Sequence, residues 1–138
     1  MNKLSVLIPS YNEEENLEIT VSLVQKQIDN LVSLNLISKD SFVAIIDDGS
    51  TDNSWNKIEQ IKKKFNNLKA IKFSKNQGHQ IALYAGIKEF SNKSDFSISI
   101  DADGQHDVSK FRELIENYHS GHDIVIAVSD RNKDKYFK

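Results

Sequence analysis

The chain of 138 residues lacks cysteine altogether, so neither a disulfide bond nor a thiolate-ligated metal site can form. Any metal ion would have to be held by oxygen atoms or by imidazole. The chain also lacks an excess of positive charge. Its net charge is −2 at pH 7, and we therefore expect no nucleic acid partner.

Long apolar runs are missing from the sequence as well. No run approaches the roughly 18 residues of a membrane-spanning helix, and the N-terminus carries no hydrophobic core of a signal peptide. We therefore expect a cytoplasmic chain that reaches the inner face of a membrane only through segments outside these 138 residues. The length is typical of a single domain with an ordinary hydrophobic core.

Short apolar segments alternate with helical patterns along the chain. Strands are predicted at residues 3–8, 42–46, 68–73, 95–100 and 124–128. Helices are predicted at residues 17–31, 55–65 and 79–90, and a fourth helix is predicted to follow Asp107 or Ser109 as its N-cap. This alternation predicts an α/β fold with a doubly wound, mainly parallel sheet, right-handed crossovers and helices on both faces.

Three local features lead to more specific expectations. The only proline, Pro9, is expected to end the first strand because it cannot donate to a strand ladder. The acidic residues 13–15 are expected in the first turn of the first helix, where they complement the helix dipole. Three small residues, Ala82, Ala85 and Gly86, should let the third helix lie close to the sheet.

Polar loops follow four of the predicted strands, at residues 9–13, 47–52, 74–78 and 101–106. The carboxyl ends of parallel strands meet at one edge of the sheet, and that edge is where ligands bind in open α/β folds. The fourth loop carries Asp101 and Asp103. Carboxylates two residues apart suit a hard divalent cation that retains waters and bridges to phosphate oxygens. The sequence therefore predicts a metal–diphosphate site at this edge.

Each polar feature also has an ordinary structural explanation. Residues 48–50 form a common turn and helix cap, residues 76–78 form a common turn, and an isolated Asp-x-Asp pair often arises by chance. We interpret His79, His119 and His122 as solvated or turn residues. The convergence of four polar loops on one edge favours a site over four separate accidents.

Four motifs in this order resemble those of the family 2 glycosyltransferases, which have the Rossmann-like GT-A fold. They are VLIPSYNE at residues 6–13, DDGSTD at residues 47–52, NQG at residues 76–78 followed by Ala82 and Gly86, and DADGQH at residues 101–106, which resembles the family's DXD motif. The resemblance covers residues 4 to about 131. It implies an inverting, metal-dependent enzyme that transfers a sugar from a nucleotide-diphosphate sugar, with UDP favoured over GDP.

The resemblance also implies roles for individual residues. The nucleotide-binding residues would be Pro9, Tyr11, Asn12, Glu13, Asp48, Asn76, Gly78, Asp101, Ala102 and Arg131. Asp48 would accept a hydrogen bond from the base. Asp103 and Gln105 would bind Mg²⁺ or Mn²⁺ on the diphosphate, with Asp101 and His106 as further candidate ligands. Asp101 and Asp103 are the catalytic candidates, and a general base is expected beyond Lys138 unless the acceptor is itself an anion.

The sequence departs from the family pattern in several places. Asp107 stands where the family usually has proline, and Ser129-Asp130-Arg131 stands where it has a basic turn. The family's second half is missing, so we interpret residues 1–138 as one nucleotide-sugar-binding domain truncated on its acceptor-binding side. Residues 131–138 resemble the segment before the acceptor region in polyprenyl-phosphate (dolichyl-phosphate mannosyltransferase-like) enzymes. That likeness implies a lipid-phosphate acceptor, with a saccharide as the other choice.

Other functions fit the sequence less well. A non-catalytic nucleotide-sugar-binding domain stays open. A haloacid-dehalogenase-like phosphatase shares the Asp-x-Asp-Gly of residues 101–104 but carries it on its first strand. A signalling receiver domain needs an acidic pair after the first strand, where Pro9-Ser10-Tyr11 stands, and a lysine after the fifth, where Ser129 stands.

Overall fold

The computed structural model describes residues 1–104 and 107–126, which contain a parallel sheet and four α-helices. The strands are β1 (Leu4–Ser10), β2 (Phe42–Asp47), β3 (Leu68–Lys72) and β4 (Phe96–Ser99). The helices are α1 (Leu17–Ser33), α2 (Ser54–Lys64), α3 (His79–Phe90) and α4 (Phe111–His119). Gln105, His106 and residues 127–138, which include Arg131 and the end of the predicted fifth strand, lie outside the described residues.

The order of the strands reverses at one point of the sheet. The sheet is parallel with the order β3-β2-β1-β4, so the chain moves outward from β1 to β3 and then returns to the other side of β1. Ligands bind beyond the carboxyl ends of the strands where the order reverses. Those strands are β1 and β4, which lead into residues 11–16 and 100–107. The predicted α/β fold is confirmed.

Both faces of the sheet are covered by helices. Every residue of β2 is buried, and successive side chains of a strand point to opposite faces. On one face, Leu7 and Ile46 pack against α3. Helices α1 and α2 contact β2 and each other. A β carbon on Gly86 would lie 2.7 Å from Ile46 Cδ1, and Ala82 is fully buried. The predicted close approach of α3 is confirmed.

Pro9 does not end β1, contrary to the sequence prediction. The strand continues to Ser10, and Pro9 is paired in register with Ile46 of β2. Leu7, two residues earlier, accepts a hydrogen bond from the N–H of Ile100 on the β4 side. Alternate residues of a strand direct their backbone groups to the same neighbour, so the missing N–H of Pro9 also faces the β4 side. β4 has already ended there, and the ladder needs no donor from Pro9.

The acidic residues 13–15 lie ahead of the first helix, contrary to the sequence prediction. α1 starts at Leu17, and the acid in its first turn is Glu18. The carbonyl oxygen of Glu13 accepts hydrogen bonds from the N–H groups of Asn16 and Leu17, both at 3.0 Å. These bonds form a turn ahead of the helix. The acidic residues 13–15 therefore belong to the loop at the edge of the sheet.

The chain divides into two compact units, Met1–Val108 and Ser109–Lys138. A 3₁₀ turn over Val108–Lys110 precedes α4, and the N-cap position is taken by Lys110 instead of Asp107 or Ser109. Residues 124–126 form no strand, contrary to the prediction, and Ile124 and Ile126 are 81% and 75% exposed. A strand needs a neighbour that offers its backbone groups, which apolar residues alone cannot supply. None of the helices in the described ranges is long and apolar enough to cross a membrane.

Candidate functional site

Asn12 fastens the loop after β1 to the loop after β2. Its Oδ1 accepts the N–H of Thr51 at 2.8 Å, and its own N–H donates to Ser50 Oγ at 2.9 Å. Asn12 has a φ of 52°, a left-handed conformation that asparagine tolerates better than most residues. The side chain that we expected on the nucleotide is therefore used to join two loops. Its contact with a nucleotide stays a prediction.

A second set of hydrogen bonds joins the same two loops at the start of α2. The N–H of Glu13 donates to Ser54 Oγ at 3.0 Å, and the N–H of Ser54 donates to Asp52 Oδ1 at 2.9 Å. Partial burial pushes the pKa of Asp52 upward, but the hydrogen bonds from Ser54 outweigh it and the pKa lies below its usual value. The ionised carboxylate complements the positive end of the α2 dipole.

Asp47 lies at the end of β2 and anchors this network from inside the protein. The residue is fully buried, and its Oδ1 accepts the hydroxyl of Ser50. Its Oδ2 and the hydroxyl of Ser10, its partner in register, are both buried without a hydrogen-bond partner among the described residues. Burial raises the pKa of Asp47, and the hydrogen bonds of Ser50 and the charge of Lys72 offset this only in part. Asp47 is therefore a structural residue of the site.

Asp48 is nearly buried and holds the loop after β3. One carboxylate oxygen accepts the N–H of Gln77 at 2.7 Å. The other accepts the N–H of Gly78 and the side-chain amide of Asn76, both at 3.0 Å. These groups precede the N-terminus of α3, whose dipole favours a negative charge there. A carboxylate can accept about four hydrogen bonds, so a further contact to a base is compatible with this arrangement.

Gly49 allows the loops after β2 and β3 to cross in direct contact. Its φ is 69°, and a β carbon there would lie 2.2 Å from the carbonyl carbon of Lys75 and 2.4 Å from the nitrogen of Asn76. Real β carbons do not approach backbone atoms so closely. Only glycine is compatible with both the conformation and the contact.

The acidic turn, residues 101–104, follows the end of β4. Ala102 is buried, while Asp101 and Asp103 on either side of it are partly exposed. Thr20 of α1 donates a hydrogen bond from Oγ1 to the carbonyl oxygen of Ala102 at 3.2 Å. The backbone between the two carboxylates is therefore tied to the first helix, while both side chains reach solvent.

His79 is exposed, as the sequence predicts, and it also lies beside the acidic turn. Its side chain is 56% exposed, and its Nε2 lies 3.5 Å from Asp101 Oδ1. His79 is the first residue of α3, so this pair brings the third and fourth loops together. Its place directly after Gly78, at the carboxyl edge of the sheet, is the sequence signal that could have identified it. Nothing in the sequence pattern distinguishes Thr20 from other buried helix residues.

The acidic turn offers the donors that Mg²⁺ and Mn²⁺ prefer. Carboxylate oxygens are hard ligands, and Mg²⁺ commonly binds through one or two of them together with phosphates and waters. Within the described part of the chain, no group of three His, Cys, Asp or Glu side chains could hold a metal ion by itself. The pair Asp101 and Asp103 has the chemistry to bind a cation whose other ligands are phosphate oxygens and waters. Gln105 and His106 lie outside the described residues.

The residues expected around the nucleoside surround the end of β1. Pro9 is buried inside the strand, and Tyr11 is 44% exposed just beyond it. Glu13 is partly buried, and its carboxylate accepts the side-chain amide of Asn16 at 2.9 Å. The predicted residues of all four loops therefore lie at the carboxyl edge of one sheet, with the exceptions outside the described residues.

A cavity of about 420 Å³ lies elsewhere in the first unit. Its lining includes Gln25 of α1, Lys64 of α2, and Lys39 and Asn67. Lys39 precedes β2 and Asn67 precedes β3, so the cavity is at the amino ends of these strands. It is therefore separate from the convergent loops.

Comparison with known proteins identifies the family. The family model described as Glycosyl transferase family 2 matches residues 5–138. The uncharacterized glycosyltransferase YkoT of Bacillus subtilis is 38% identical over 136 residues, which cover 98% of this chain and 40% of that protein. A dolichol-phosphate mannosyltransferase of Pyrococcus furiosus is 38% identical over 126 residues, covering 91% of this chain and 32% of that protein. The chain thus spans two fifths or less of the length of these relatives.

The fold has a counterpart among solved structures. Glucosyl-3-phosphoglycerate synthase from Mycobacterium tuberculosis, in complex with Mn²⁺, UDP and glucosyl-3-phosphoglycerate, matches with a TM-score of 0.61 and 21% identity. The match covers 88% of this chain and 41% of that chain. At this identity the likeness concerns the fold, and it confirms the predicted GT-A architecture. With the family match over almost the whole sequence, this chain belongs to glycosyl transferase family 2.

Proposed function

We propose that this chain is the donor-binding part of an inverting, metal-dependent glycosyltransferase. The observation that carries the proposal is the meeting of four polar loops at the point where the strand order reverses. These loops place a partly exposed carboxylate pair beside the loops expected to bind a nucleoside. A nucleotide-diphosphate sugar has matching parts: a base, a ribose, and a charged diphosphate next to the reacting sugar.

Each loop is proposed to contact a different part of the nucleotide-sugar donor. In this proposal Pro9, Tyr11 and Glu13 line the nucleoside pocket, and Asp48 accepts a hydrogen bond from the base. The other proposed nucleotide contacts are Asn12, Asn76, Gly78 and Ala102. Arg131 is proposed to contact a phosphate. The hydrogen bonds of Asp48 to the third loop support this assignment, because they hold its carboxylate at the sheet edge in a fixed orientation.

Asp101 and Asp103 are proposed to act at the diphosphate of the donor. We assign Asp103 and Gln105 as ligands of Mg²⁺ or Mn²⁺, with Asp101 and His106 as further candidates. A divalent cation held by these residues would supply positive charge to offset the charge that develops on the leaving diphosphate. The Mn²⁺ and UDP in the Mycobacterium tuberculosis structure support the same choices here, with a GDP-sugar as the other donor.

The acceptor is proposed to be a lipid phosphate. The support is the likeness to the dolichol-phosphate mannosyltransferase of Pyrococcus furiosus. A phosphate acceptor is already an anion and needs no general base, whereas a saccharide hydroxyl would need one. In either case we propose that the acceptor site and any base lie outside these 138 residues.

The test is a calorimetric titration of the 138-residue chain with UDP and with GDP. Each nucleotide is titrated in the presence of Mn²⁺ and again with excess chelator. We expect one nucleotide to bind more tightly and its binding to require the cation. If a folded chain binds neither nucleotide with Mn²⁺, the proposed donor site is wrong for this chain. Tight binding that ignores the chelator would refute the metal dependence alone.

A further inference from the structure

Thr20 makes a hydrogen bond that the proposed donor site does not explain. The residue is in the first third of α1 and is 3% exposed. Its hydroxyl donates to the carbonyl oxygen of Ala102 at 3.2 Å, across 82 positions of the sequence. A threonine in a helix usually bonds the carbonyl one turn earlier in its own helix. Here the hydroxyl reaches a different element.

The carbonyl group that accepts this hydrogen bond lies between the two carboxylate residues of the acidic turn. Ala102 separates Asp101 from Asp103, the two carboxylates assigned to the diphosphate and its cation. Two residues before Ala102, the N–H of Ile100 still donates to the carbonyl oxygen of Leu7 in the sheet. Beyond that point Thr20 links the turn to an element outside the sheet. A β carbon on Gly104 would lie 3.9 Å from Thr20 Oγ1, so Thr20 adjoins the turn on both sides of Asp103.

We propose that Thr20 is a positioning residue for the cation and diphosphate of the sugar donor. Its hydroxyl fixes the peptide between the two carboxylates and so fixes the direction in which both side chains leave the backbone. The inference rests on the proposed function, because it concerns the same site. Thr20 itself is buried and does not touch the donor or the cation.

The test compares two substitutions that separate the hydroxyl from the rest of the side chain. Thr20→Val keeps the volume and removes the donor, whereas Thr20→Ser keeps the donor and removes a methyl group. Val24→Ala, also buried in α1, is the matched control for a general loss of helix stability. Each variant is first titrated with Mn²⁺ alone, and the electron spin resonance signal of free Mn²⁺ measures the binding. Each variant is then titrated with UDP or GDP in the presence of Mn²⁺. Thermal unfolding is recorded for all of them.

We expect Thr20→Val to raise the Kd of the nucleotide in Mn²⁺ and the half-saturating Mn²⁺ concentration by roughly tenfold each, the effect of one hydrogen bond. Thr20→Ser should stay within about twofold of the unsubstituted chain, because it retains that bond. Val24→Ala should lower the melting temperature without moving either binding constant.

The outcomes separate this inference from the proposed function. If the unsubstituted chain binds neither Mn²⁺ nor a nucleotide, the proposed function fails and the positioning role fails with it. If that chain binds both and Thr20→Val binds equally well, only the positioning role is overturned. Equal weakening in Thr20→Val and Thr20→Ser, or in Val24→Ala, would also overturn it, because packing rather than the hydroxyl would then be responsible. If Thr20→Val does not fold, Thr20→Ala is compared with Thr20→Ser, from which it differs only in the hydroxyl, and equal binding by these two variants would overturn the positioning role.

Discussion

Asp103 is the side chain on which the proposed cation site depends most directly. Asp103→Asn keeps the volume and removes the negative charge that a divalent cation requires. We expect the Kd of the nucleotide in Mn²⁺ to rise by roughly a hundredfold, at the upper end of what changes around a metal site produce. Asp103 is partly exposed, so the melting temperature should change little. Calorimetric titration and thermal unfolding measure the two effects.

The matched control is Asp123→Asn, an exposed aspartate outside the four loops. It removes the same charge from the chain and should leave nucleotide binding unchanged. If both substitutions weaken binding alike, the effect comes from net charge rather than from a ligand. If Asp103→Asn unfolds, Asp103 has a structural role instead.

The raised pKa of Asp47 predicts a specific dependence of the protein's stability on pH. Burial raises the pKa of its carboxyl in the folded state, so the folded protein binds this proton more tightly than the unfolded chain. The contribution of Asp47 to stability is therefore present in acid. It declines as the pH rises from the unfolded pKa, about 3.9, through the raised folded pKa, and is constant above that.

Asp47→Asn should remove this decline. The amide oxygen can still accept the Ser50 hydroxyl, and the neutral amide avoids the cost of burying an ionised carboxylate. We expect the free energy of unfolding at pH 7 to be unchanged or higher than that of the unsubstituted chain. Urea unfolding between pH 4 and pH 8 measures the difference. A variant that loses stability mainly at neutral pH would show that the ionised carboxylate is the stabilising form.

At the scale of elements, the site is a set of loops that hold one another. The loop after β2 contacts the loop after β1 through Ser50, Thr51 and Ser54, and the loop after β3 through Asp48 and Gly49. The loop after β4 is held by α1 and adjoins α3. The geometry of the proposed donor site therefore depends on contacts between loops that are far apart in the sequence.

Gly49→Ala tests this contact between loops. The substitution meets the backbone of Lys75 and Asn76 and also places a β carbon at a positive φ. The left-handed conformation alone costs about 1–2 kcal/mol, and the backbone clash should add to it. Gly104→Ala is the control, because its φ of 76° is similar, but the nearest atom that its β carbon would meet among the described residues is Thr20 Oγ1, 3.9 Å away. Denaturant unfolding should show a clearly larger loss for Gly49→Ala. Equal losses would mean that the loops can separate without cost.

At the scale of the whole molecule, a ligand that binds only the folded chain must stabilise it. At a free nucleotide concentration 100 times its Kd, the stabilisation is about 2.7 kcal/mol. We therefore expect the melting temperature to rise with UDP or GDP when Mn²⁺ is present and to return to its starting value with chelator. The Asp103→Asn variant should show no such rise at the same concentrations. A rise with Mn²⁺ alone, unaffected by nucleotide, would indicate a cation site unrelated to the donor.

Much of the fold followed from local patterns. The apolar stripe from Leu17 to Leu31 and the helix over residues 79–90 were predicted correctly, because helical periodicity is a property of neighbouring residues. The parallel sheet followed from the alternation of strands and helices. Parallel strands bring their carboxyl ends to one edge, so the convergence of the four polar loops could be predicted before any contact was known.

The sequence by itself thus determined the fold class, the family and the edge of the sheet that carries the site. Tertiary structure decided the rest, for the physical reason that the other features depend on which backbone and side-chain groups meet in space. Pro9 is tolerated inside β1 because β4 ends before it. Residues 124–126 form no strand although they are apolar. Thr20 and His79 reach the acidic turn from two separate helices, and no local spacing connects either residue with Asp101 or Ala102.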